Sequence, residues 1–263
     1  MKIDDESCLM INNKLPLYKY FNENTSLNNQ NSSIFNTSIA AAFDDEKYRL
    51  HTINTVKHST RKKESYPIDI EYDDNELEKA ILNRKSTRNF SNKLVKNKDF
   101  CKILGLSFGF NKRDGFTVPS AGGIYEIKLI VIINRVEGIK SGIYLYDINS
   151  SSLLPLISNF NTWDYQKITY SLTLAENCAF SVHAITNPIF MTYKYGDRGY
   201  RFLNLECGHI FQNLSLIANH LNVGSVCSGG FAEKSFIEYL NHESCLDFHD
   251  YMVLYEEFFG KES

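Results

Sequence analysis

The side chains best suited to chemistry lie in the segment MTYKYGDRGYR (191–201), where Lys194 and Tyr195 are adjacent. Lysine and tyrosine side chains both titrate at about pH 10 in water. Burial lowers the pKa of a lysine and a neighbouring cation lowers that of a tyrosine, so such a pair can move a proton. The commoner arrangement of a Lys-Tyr dipeptide is structural, with its apolar parts on the protein surface and its polar ends in water. The residues alone leave both interpretations open.

A basic cluster lies in RKSTRNF (84–90), at the end of a predicted helix. Arg84, Lys85, Ser86 and Arg88 could grip a phosphate, because arginine offers forked donors, lysine a point charge and serine a short hydroxyl donor. The alternative is a solvated basic helix end that the helix dipole stabilises. Charge runs are common on protein surfaces, so this segment taken alone favours the alternative.

A turn rich in small residues lies in TVPSAGGIYEIKLIVI (117–132), immediately before an apolar strand. It contains Pro119, Ser120, Ala121 and Gly122. Proline fixes one backbone angle, and the Gly-Gly pair allows the backbone to approach a planar ligand closely. An ordinary turn before a strand is the alternative, and two glycines are weak evidence against it.

A second glycine-containing turn lies in VGSVCSGGF (223–231). Ser228, Gly229 and Gly230 end a strand-like segment there and could present backbone N–H groups to a ring acceptor. The thiol of Cys227 is a candidate nucleophile. The sequence places no partner histidine beside it, so we interpret Cys227 as a packed thiol.

The longest helical pattern covers residues 199–224 and carries Glu206 and His209 one turn apart. We interpret these two side chains as a buried, hydrogen-bonded structural pair, since a metal site would need further ligands at suitable spacing. Apolar residues recur at helical spacing along the same segment. They are Phe202, Leu205, Ile210, Leu214, Ile217 and Leu221.

Helices and strands interleave along the rest of the chain and must position these segments. The predicted helices are ELEKAILNR (76–84), KDFCKILGLSFGF (98–110), one around 163–177, and 199–224. The predicted strands are EIKLIVIINR (126–135), GIYLYDINSS (142–151), SVHAITNPIF (181–190) and YMVLYEEFF (251–259). This mixed order favours an α+β fold over a doubly wound sheet.

The composition is that of an ordinary globular protein. Of 263 residues, 43% are hydrophobic and 22% are charged, which excludes a mostly disordered or fibrous chain. The net charge of −3 disfavours general nucleic-acid binding. The most apolar segment, IKLIVII (127–133), is far too short to cross a bilayer, and the first thirty residues lack a signal-peptide pattern. The six cysteines are scattered, so we expect free thiols, no metal site and a cytoplasmic location.

Residues 1–70 differ from the rest of the chain. They are rich in Asn, Ser, Thr, Lys and Asp, with only short apolar clusters such as LPLYKYF and IAAAF. Their apolar content is thin for an independent core. We therefore expect an amino-terminal extension over 1–70, partly ordered against a main body that covers 71–263.

The order of these segments along the chain is more informative than any one of them. Five segments follow one another: the basic cluster, PSAGG-x-Y, VEGI-x-x-GIYLYD, KYGDRGYR with E-x-GHI-x-QN after it, and GGF. In this order they resemble the nitroreductase-like flavoprotein superfamily. Within it, the sequence is most similar to the SagB-type azoline dehydrogenases of thiazole/oxazole-modified peptide biosynthesis. The resemblance covers about residues 80–260. YRLHTINTVKHSTRK (48–62) resembles the amino-terminal part of that family more loosely.

The resemblance implies an α+β nitroreductase-like fold, with a mostly antiparallel sheet flanked by helices, and an obligate homodimer with FMN at the subunit interface. Arg84, Lys85, Ser86 and Arg88 would bind the FMN phosphate and ring edge. Pro119, Ser120, Ala121 and Gly122 would reach the flavin from the partner subunit. Ser228, Gly229 and Gly230 would lie beside the flavin ring. Lys194 and Tyr195 match the catalytic pair of the family.

The function implied by the resemblance is the FMN-dependent oxidation of azoline rings in a ribosomal peptide to thiazoles or oxazoles, as in bacteriocin biosynthesis. Lys194 and Tyr195 would together remove a ring proton, and dioxygen would be the final electron acceptor. The expected partners are a precursor peptide and a cyclodehydratase complex, with no nucleic acid or membrane. The alternatives are an NAD(P)H-dependent reductase of nitro, quinone or dehydroamino-acid substrates, and a non-catalytic scaffold that has lost its flavin.

Overall fold

The computed structural model describes residues 16–50, 66, 70–113, 115–158 and 160–263. Its centre is a six-stranded sheet in the order β3-β2-β1-β4-β6-β5, and every neighbouring pair of these strands is antiparallel. The strands are β1 (Ile127–Ile133), β2 (Gly142–Asp147), β3 (Ser152–Ile157), β4 (Phe180–Thr186), β5 (Gly224–Ser228) and β6 (Met252–Gly260). The predicted α+β class with an antiparallel sheet is confirmed.

The helices cover both faces of this sheet. They are α1 (Leu17–Thr25), α2 (Ser32–Asp44), α3 (Glu76–Leu82), α4 (Asn97–Ser107), α5 (Leu172–Asn177), α6 (Ile189–Tyr195), α7 (Arg198–His220) and α8 (Glu233–Glu243). Short 3₁₀ segments cover Ala121–Gly123 and Thr162–Lys167. None of the described helices is both long enough and apolar enough to cross a membrane.

The central strand β1 explains why the sheet is covered on both sides. Six of its seven residues are buried, and Lys128 is the exception. Alternate side chains of a strand point to opposite faces, so Leu129 packs in one core with α4 and α7 while Ile130 packs in a second core with α8. A nearly continuous apolar run is what a strand between two packed layers requires.

The long helix α7 lies where the sequence predicts it, but its buried face is rotated from the expected one. Ile210 and Leu214 are buried as expected, whereas Leu205 is 60% exposed. Leu203 and Cys207 take the core positions instead. Residues two apart on a helix point about 200° apart, so burying Leu203 turns Leu205 towards solvent.

Two further predictions about secondary structure need correction, and two elements were missed. The single helix expected around 163–177 is a 3₁₀ segment followed by α5, because residues 168–171 between them pair with the loop after β5. The strand expected to reach residue 190 ends at Thr186, since Pro188 lies at the N-cap of α6. The edge strand β3, which contains Pro155, and helix α8 were not predicted.

The described part of the amino-terminal extension contains α1, α2 and further helical residues at 46–50, and α1 lies against the main body. The ring of Tyr18 stacks on that of Tyr200 with centroids 6.0 Å apart, and the backbone N–H of Tyr18 donates to Asp197 Oδ1 at 3.4 Å. The backbone N–H of Leu27 donates to Glu233 Oε2 at 3.0 Å. Residues 1–15, 51–65 and 67–69, including most of the YRLHTINTVKHSTRK segment, lie outside the described residues. The division at residue 70 therefore stays a prediction.

Candidate functional site

The turn at Ser120–Gly122 meets the Lys194–Tyr195 pair in the folded chain. Gly122 has a positive φ of 64°, and a Cβ placed on it would collide with Lys194 Nζ and lie 2.5 Å from Tyr195 Oη. The positive φ favours glycine at this position, and the contacts place the ends of the Lys194 and Tyr195 side chains directly beside it. Two segments that the sequence separates widely converge at one point, with an amine and a phenol hydroxyl against exposed backbone.

Lys194 and Tyr195 end the short helix α6 rather than sitting in the loop before α7. The carboxylate of Glu126 accepts the backbone N–H groups of Phe190 and Met191, each at 2.9 Å, and so fixes the start of α6. The ring of Tyr195 packs edge-on against Phe202, with centroids 5.1 Å apart. This support leaves the Tyr195 side chain half-buried.

Lys194, by contrast, is exposed. Its Nζ lies 5.2 Å from the centroid of the Tyr195 ring. Gly196, which follows the pair, has a positive φ of 58° and separates α6 from α7. The amine is therefore held near the phenol of its neighbour while remaining open to a substrate.

A buried carboxyl group lies behind the turn. Glu206 on α7 is 1% exposed, and burial raises its pKa to about 7, with the Ser120 hydroxyl offsetting part of the increase. The hydroxyl oxygen of Ser120 also accepts the backbone N–H of Tyr125 at 3.0 Å. His209 is exposed, so the prediction of a buried Glu206–His209 pair is wrong.

The basic cluster is not a helix end, because α3 stops at Leu82. Ser86 forms a parallel bridge with Ser225 of β5, and the backbone N–H of Thr87 donates to the Ser225 carbonyl at 2.9 Å. The segment therefore runs along the edge of the sheet beside the first residues of β5. Arg84, Ser86 and Arg88 are exposed there, whereas Thr87 is buried.

Lys85 lies apart from these three residues. Its Nζ is 2.6 Å from Glu262 Oε1, and Lys85 and Thr87 both line a surface cavity of about 790 Å³. Arg84 instead lies close enough to the buried carboxyl of Glu257 to lower its pKa, although burial is the larger effect and raises it. The assignment of Lys85 to the cofactor stays a prediction, and its side chain is engaged with Glu262 in this structure.

The loop Ser228–Gly230 follows β5 directly and is fixed from behind. The Ser228 and Ser171 hydroxyl oxygens are 2.7 Å apart, and the backbone N–H of Gly230 donates to Ser228 Oγ at 2.9 Å. The carbonyl of Gly230 accepts the backbone N–H of Tyr170 at 2.6 Å. Gly229 is exposed with open space where a side chain would be, so a planar group can approach its backbone.

Cys227, which precedes this loop, behaves as the packed thiol that the sequence predicts. Its pKa is raised to about 12, first by burial and then by the neighbouring Glu257. The side chain is therefore a neutral thiol at physiological pH and a poor nucleophile.

The predicted site residues fall into two groups. Residues 84–88 and 228–230 lie at the two ends of β5 and form what we call the strand half of the site. Residues 119–122 and 194–195 form the turn half. The homodimer that would bring the turn half to the flavin of a partner subunit stays a prediction.

Comparison with known proteins identifies the family. The model of the nitroreductase family matches residues 81–254, which is more than half of the chain. The chain belongs to the nitroreductase family. "Putative nitroreductase MJ1384" of Methanocaldococcus jannaschii is 29% identical over 172 residues, which is 62% of this chain and 83% of that protein.

Solved structures share the fold. A "putative nitroreductase" from Anabaena variabilis matches with a TM-score of 0.62 and 22% identity over 71% of this chain, but only 38% of that one. One from Ralstonia eutropha matches with a TM-score of 0.56 and 17% identity over 78% of this chain and 88% of that one.

A third similar structure is the Escherichia coli microcin synthetase McbBCD complex with truncated pro-MccB17 bound. A chain of that complex matches with a TM-score of 0.63 and 20% identity. The match covers 99% of this chain and 95% of that one, so it includes the amino-terminal extension.

Nitroreductases use FMN, which is therefore the cofactor of this chain. The strand half fits such a group. Arg84 and Arg88 are exposed cations, and among the described residues neither is within ion-pair distance of a carboxylate. Ser86 adds a hydroxyl donor, and the open backbone at Gly229 gives a flat group access. These residues would hold the FMN phosphate and ring edge.

Sequence reasoning missed two acidic residues behind the site, Glu126 and Glu256, and gave the buried Glu206 the wrong partner. Glu126 and Glu206 support the turn half, and Glu256 lies behind the strand half. The sequence contains a signal for Glu256: it belongs to an acidic pair inside the apolar strand YMVLYEEFF, and charged side chains are rarely buried in such a strand.

Proposed function

We propose that the chain is an FMN-dependent dehydrogenase that oxidises azoline rings of a ribosomal peptide to thiazoles or oxazoles, with dioxygen as the final acceptor. The observation that carries this proposal is the convergence of Lys194 and Tyr195 on the Gly122 turn. A reductase that only relays hydride between a nicotinamide and a substrate has less use for an amine and a phenol held together at an open surface.

The reaction requires one proton acceptor on the protein. An azoline becomes an azole by losing two electrons and two hydrogens, one as a proton and one with the electron pair. FMN, when bound, supplies the acceptor for the electron pair and later passes it to dioxygen, which is reduced to hydrogen peroxide. The chain must bind the ring, orient it and remove the proton.

Lys194 and Tyr195 are the groups in the turn half that can take this proton. The amine and the phenol hydroxyl both lie beside Gly122. Neither group lies clearly nearer to Gly122 than the other, so the base is assigned to both residues together. General bases of this kind typically contribute about 10²–10⁴-fold to the rate.

The amino-terminal extension also supports a peptide substrate over a small nitro compound or quinone. Helix α1 packs on Asp197 and Tyr200 of the KYGDRGYR segment, directly after the catalytic pair. The similarity to the microcin synthetase chain covers this extension, whereas the similarity to the Anabaena and Ralstonia chains covers 71% and 78% of the chain. We propose that the protein acts on its precursor peptide together with a cyclodehydratase complex, and as a homodimer.

The test uses purified protein and an azoline-containing peptide. We expect the protein to carry FMN, seen as flavin absorbance, and to remove two hydrogens per ring in air without added NAD(P)H, measured by mass spectrometry. Consumption of NAD(P)H without ring oxidation would contradict the proposal and support the reductase alternative. Absence of flavin would support the scaffold alternative.

A further inference from the structure

Two adjacent glutamates are fully buried in the sheet. Glu256 and Glu257 are both 0% exposed in strand β6. Successive side chains of a strand point to opposite faces, so Glu257 meets Ser215 of α7 while Glu256 meets Thr169 on the other side. Burying an ionised carboxylate is costly unless it is paired. Among the described residues, no lysine or arginine pairs with Glu256.

The hydrogen bonds around Thr169 indicate the protonation state of the Glu256 carboxyl group. Thr169 Oγ1 accepts the backbone N–H of Ser171 at 2.9 Å and has two other neighbours, the carbonyl oxygen of Gly230 at 3.1 Å and Glu256 Oε1 at 2.9 Å. The hydroxyl has one hydrogen. An ionised Glu256 would compete with the Gly230 carbonyl for it. A protonated Glu256 donates to Thr169, which is then free to donate to Gly230.

The groups that face Glu256 also favour a neutral carboxyl. His183 Nδ1 on β4 is 3.6 Å from Glu256 Oε2, too far for a hydrogen bond, and burial lowers the His183 pKa to about 3, so the imidazole is uncharged. The acidic Glu233 of α8 disfavours a second negative charge. Burial is the main cause that raises the Glu256 pKa to about 8, and Thr169, Ser228 and Ser171 partly offset it.

We propose that Glu256 is a neutral carboxylic acid that positions the Ser228–Gly230 loop for FMN, and that its ionisation releases this loop. The inference rests on the proposed placing of the flavin beside that loop. The connection runs from Glu256 through the Thr169 hydroxyl to the Gly230 carbonyl, and Ser171 links the same segment to Ser228. Glu256 acts through these groups and is a positioning residue.

In this proposal FMN binds when Glu256 is protonated, and this determines the direction of the pH dependence. FMN affinity should be full below the pKa of Glu256 and should fall as pH rises through about 8. The dissociation constant should be about tenfold larger at pH 9 than at pH 7. Glu256→Gln keeps a neutral donor at the same place, so its FMN affinity should be the same at both pH values.

The experiment is a fluorescence titration of FMN into the flavin-depleted full chain at pH 7, 8 and 9, with circular dichroism to confirm folding at each pH. Glu238→Gln, the same change at an exposed position on α8, should behave as the wild type. Thr169→Val removes the connecting hydroxyl and should weaken binding at pH 7 while abolishing the pH dependence.

Each result decides a separate point. Wild-type affinity that does not change from pH 7 to 9 would overturn the role of Glu256 and leave the cofactor site intact. The same is true if Glu256→Gln or Thr169→Val keeps the pH dependence of the wild type. A wild-type chain that binds no FMN at pH 7 would overturn both the cofactor site and this inference.

Discussion

The two halves of the site are built in different ways. The strand half is part of the sheet: Ser86 and Thr87 bond to Ser225, and the Ser228–Gly230 loop continues β5 and pairs with residues 169–171. The turn half is held mainly by side chains, through the Glu126 carboxylate at the start of α6 and the Tyr195–Phe202 contact. Cofactor binding is thus assigned to backbone fixed by strands, and proton transfer to side chains at a helix end.

Substitutions should therefore have different effects in the two halves. Removing one side chain from the strand half should leave its conformation unchanged, because strand pairing fixes its backbone. The same change should lower its affinity for the cofactor. The turn half depends on close contacts, so a small displacement should cost activity without loss of the fold. Misplacement of reacting groups by about 1 Å can reduce rates by about 10²-fold.

The largest effect is expected from the double variant Arg84→Ala, Arg88→Ala. Each charge-assisted contact to the phosphate is worth about 1.5–3 kcal/mol, so the FMN dissociation constant should rise roughly 10²–10⁴-fold. Fluorescence titration measures it. Lys140→Ala, which removes an exposed cation in the loop between β1 and β2, is the matched control. Stoichiometric flavin in the purified double variant would show that the phosphate assignment is wrong.

The next effect compares Gly122 of the turn half with its neighbour Gly123. Gly122→Ala and Gly123→Ala both place a side chain at positive φ, of 64° and 68°, but only the Cβ at Gly122 meets Lys194 and Tyr195. Turnover should fall on the order of 10²-fold more in Gly122→Ala than in Gly123→Ala. Steady-state kinetics with the azoline peptide measures the difference. Equal losses in the two variants would mean that backbone strain, rather than the contact with the pair, explains the glycine.

The sequence predicts most of the fold because the periodic patterns are strong. The apolar run of β1 and the long helical pattern of α7 are local signals, and the structure confirms both elements. Helix α8 and edge strand β3 were missed. Proline is rare inside strands, so Pro155 argues against a strand prediction at β3. The exposure of Leu205 shows that a helical pattern fixes the period better than the direction of the buried face.

The candidate site is harder to predict from sequence because it depends on contacts between distant segments. The residue types at 120–122 and 194–195 are visible in the sequence, but their convergence needs the fold. The expected buried Glu206–His209 pair failed because Glu206 is buried whereas His209 is exposed to solvent. The role of Glu256 depends on Thr169 and Gly230, which lie on other elements.

The most direct test of the proposed function is the turnover of the double variant Lys194→Ala, Tyr195→Phe. Flavin content is measured by absorbance, and the loss of two hydrogens per azoline ring is followed by mass spectrometry. Tyr193→Phe, on the exposed side of the same helix, is the control and should match the wild type. The double variant should keep full flavin and oxidise rings at least about 10²-fold more slowly, since it lacks the base. Ring oxidation at the wild-type rate with full flavin would contradict the assignment of Lys194 and Tyr195 as the catalytic pair.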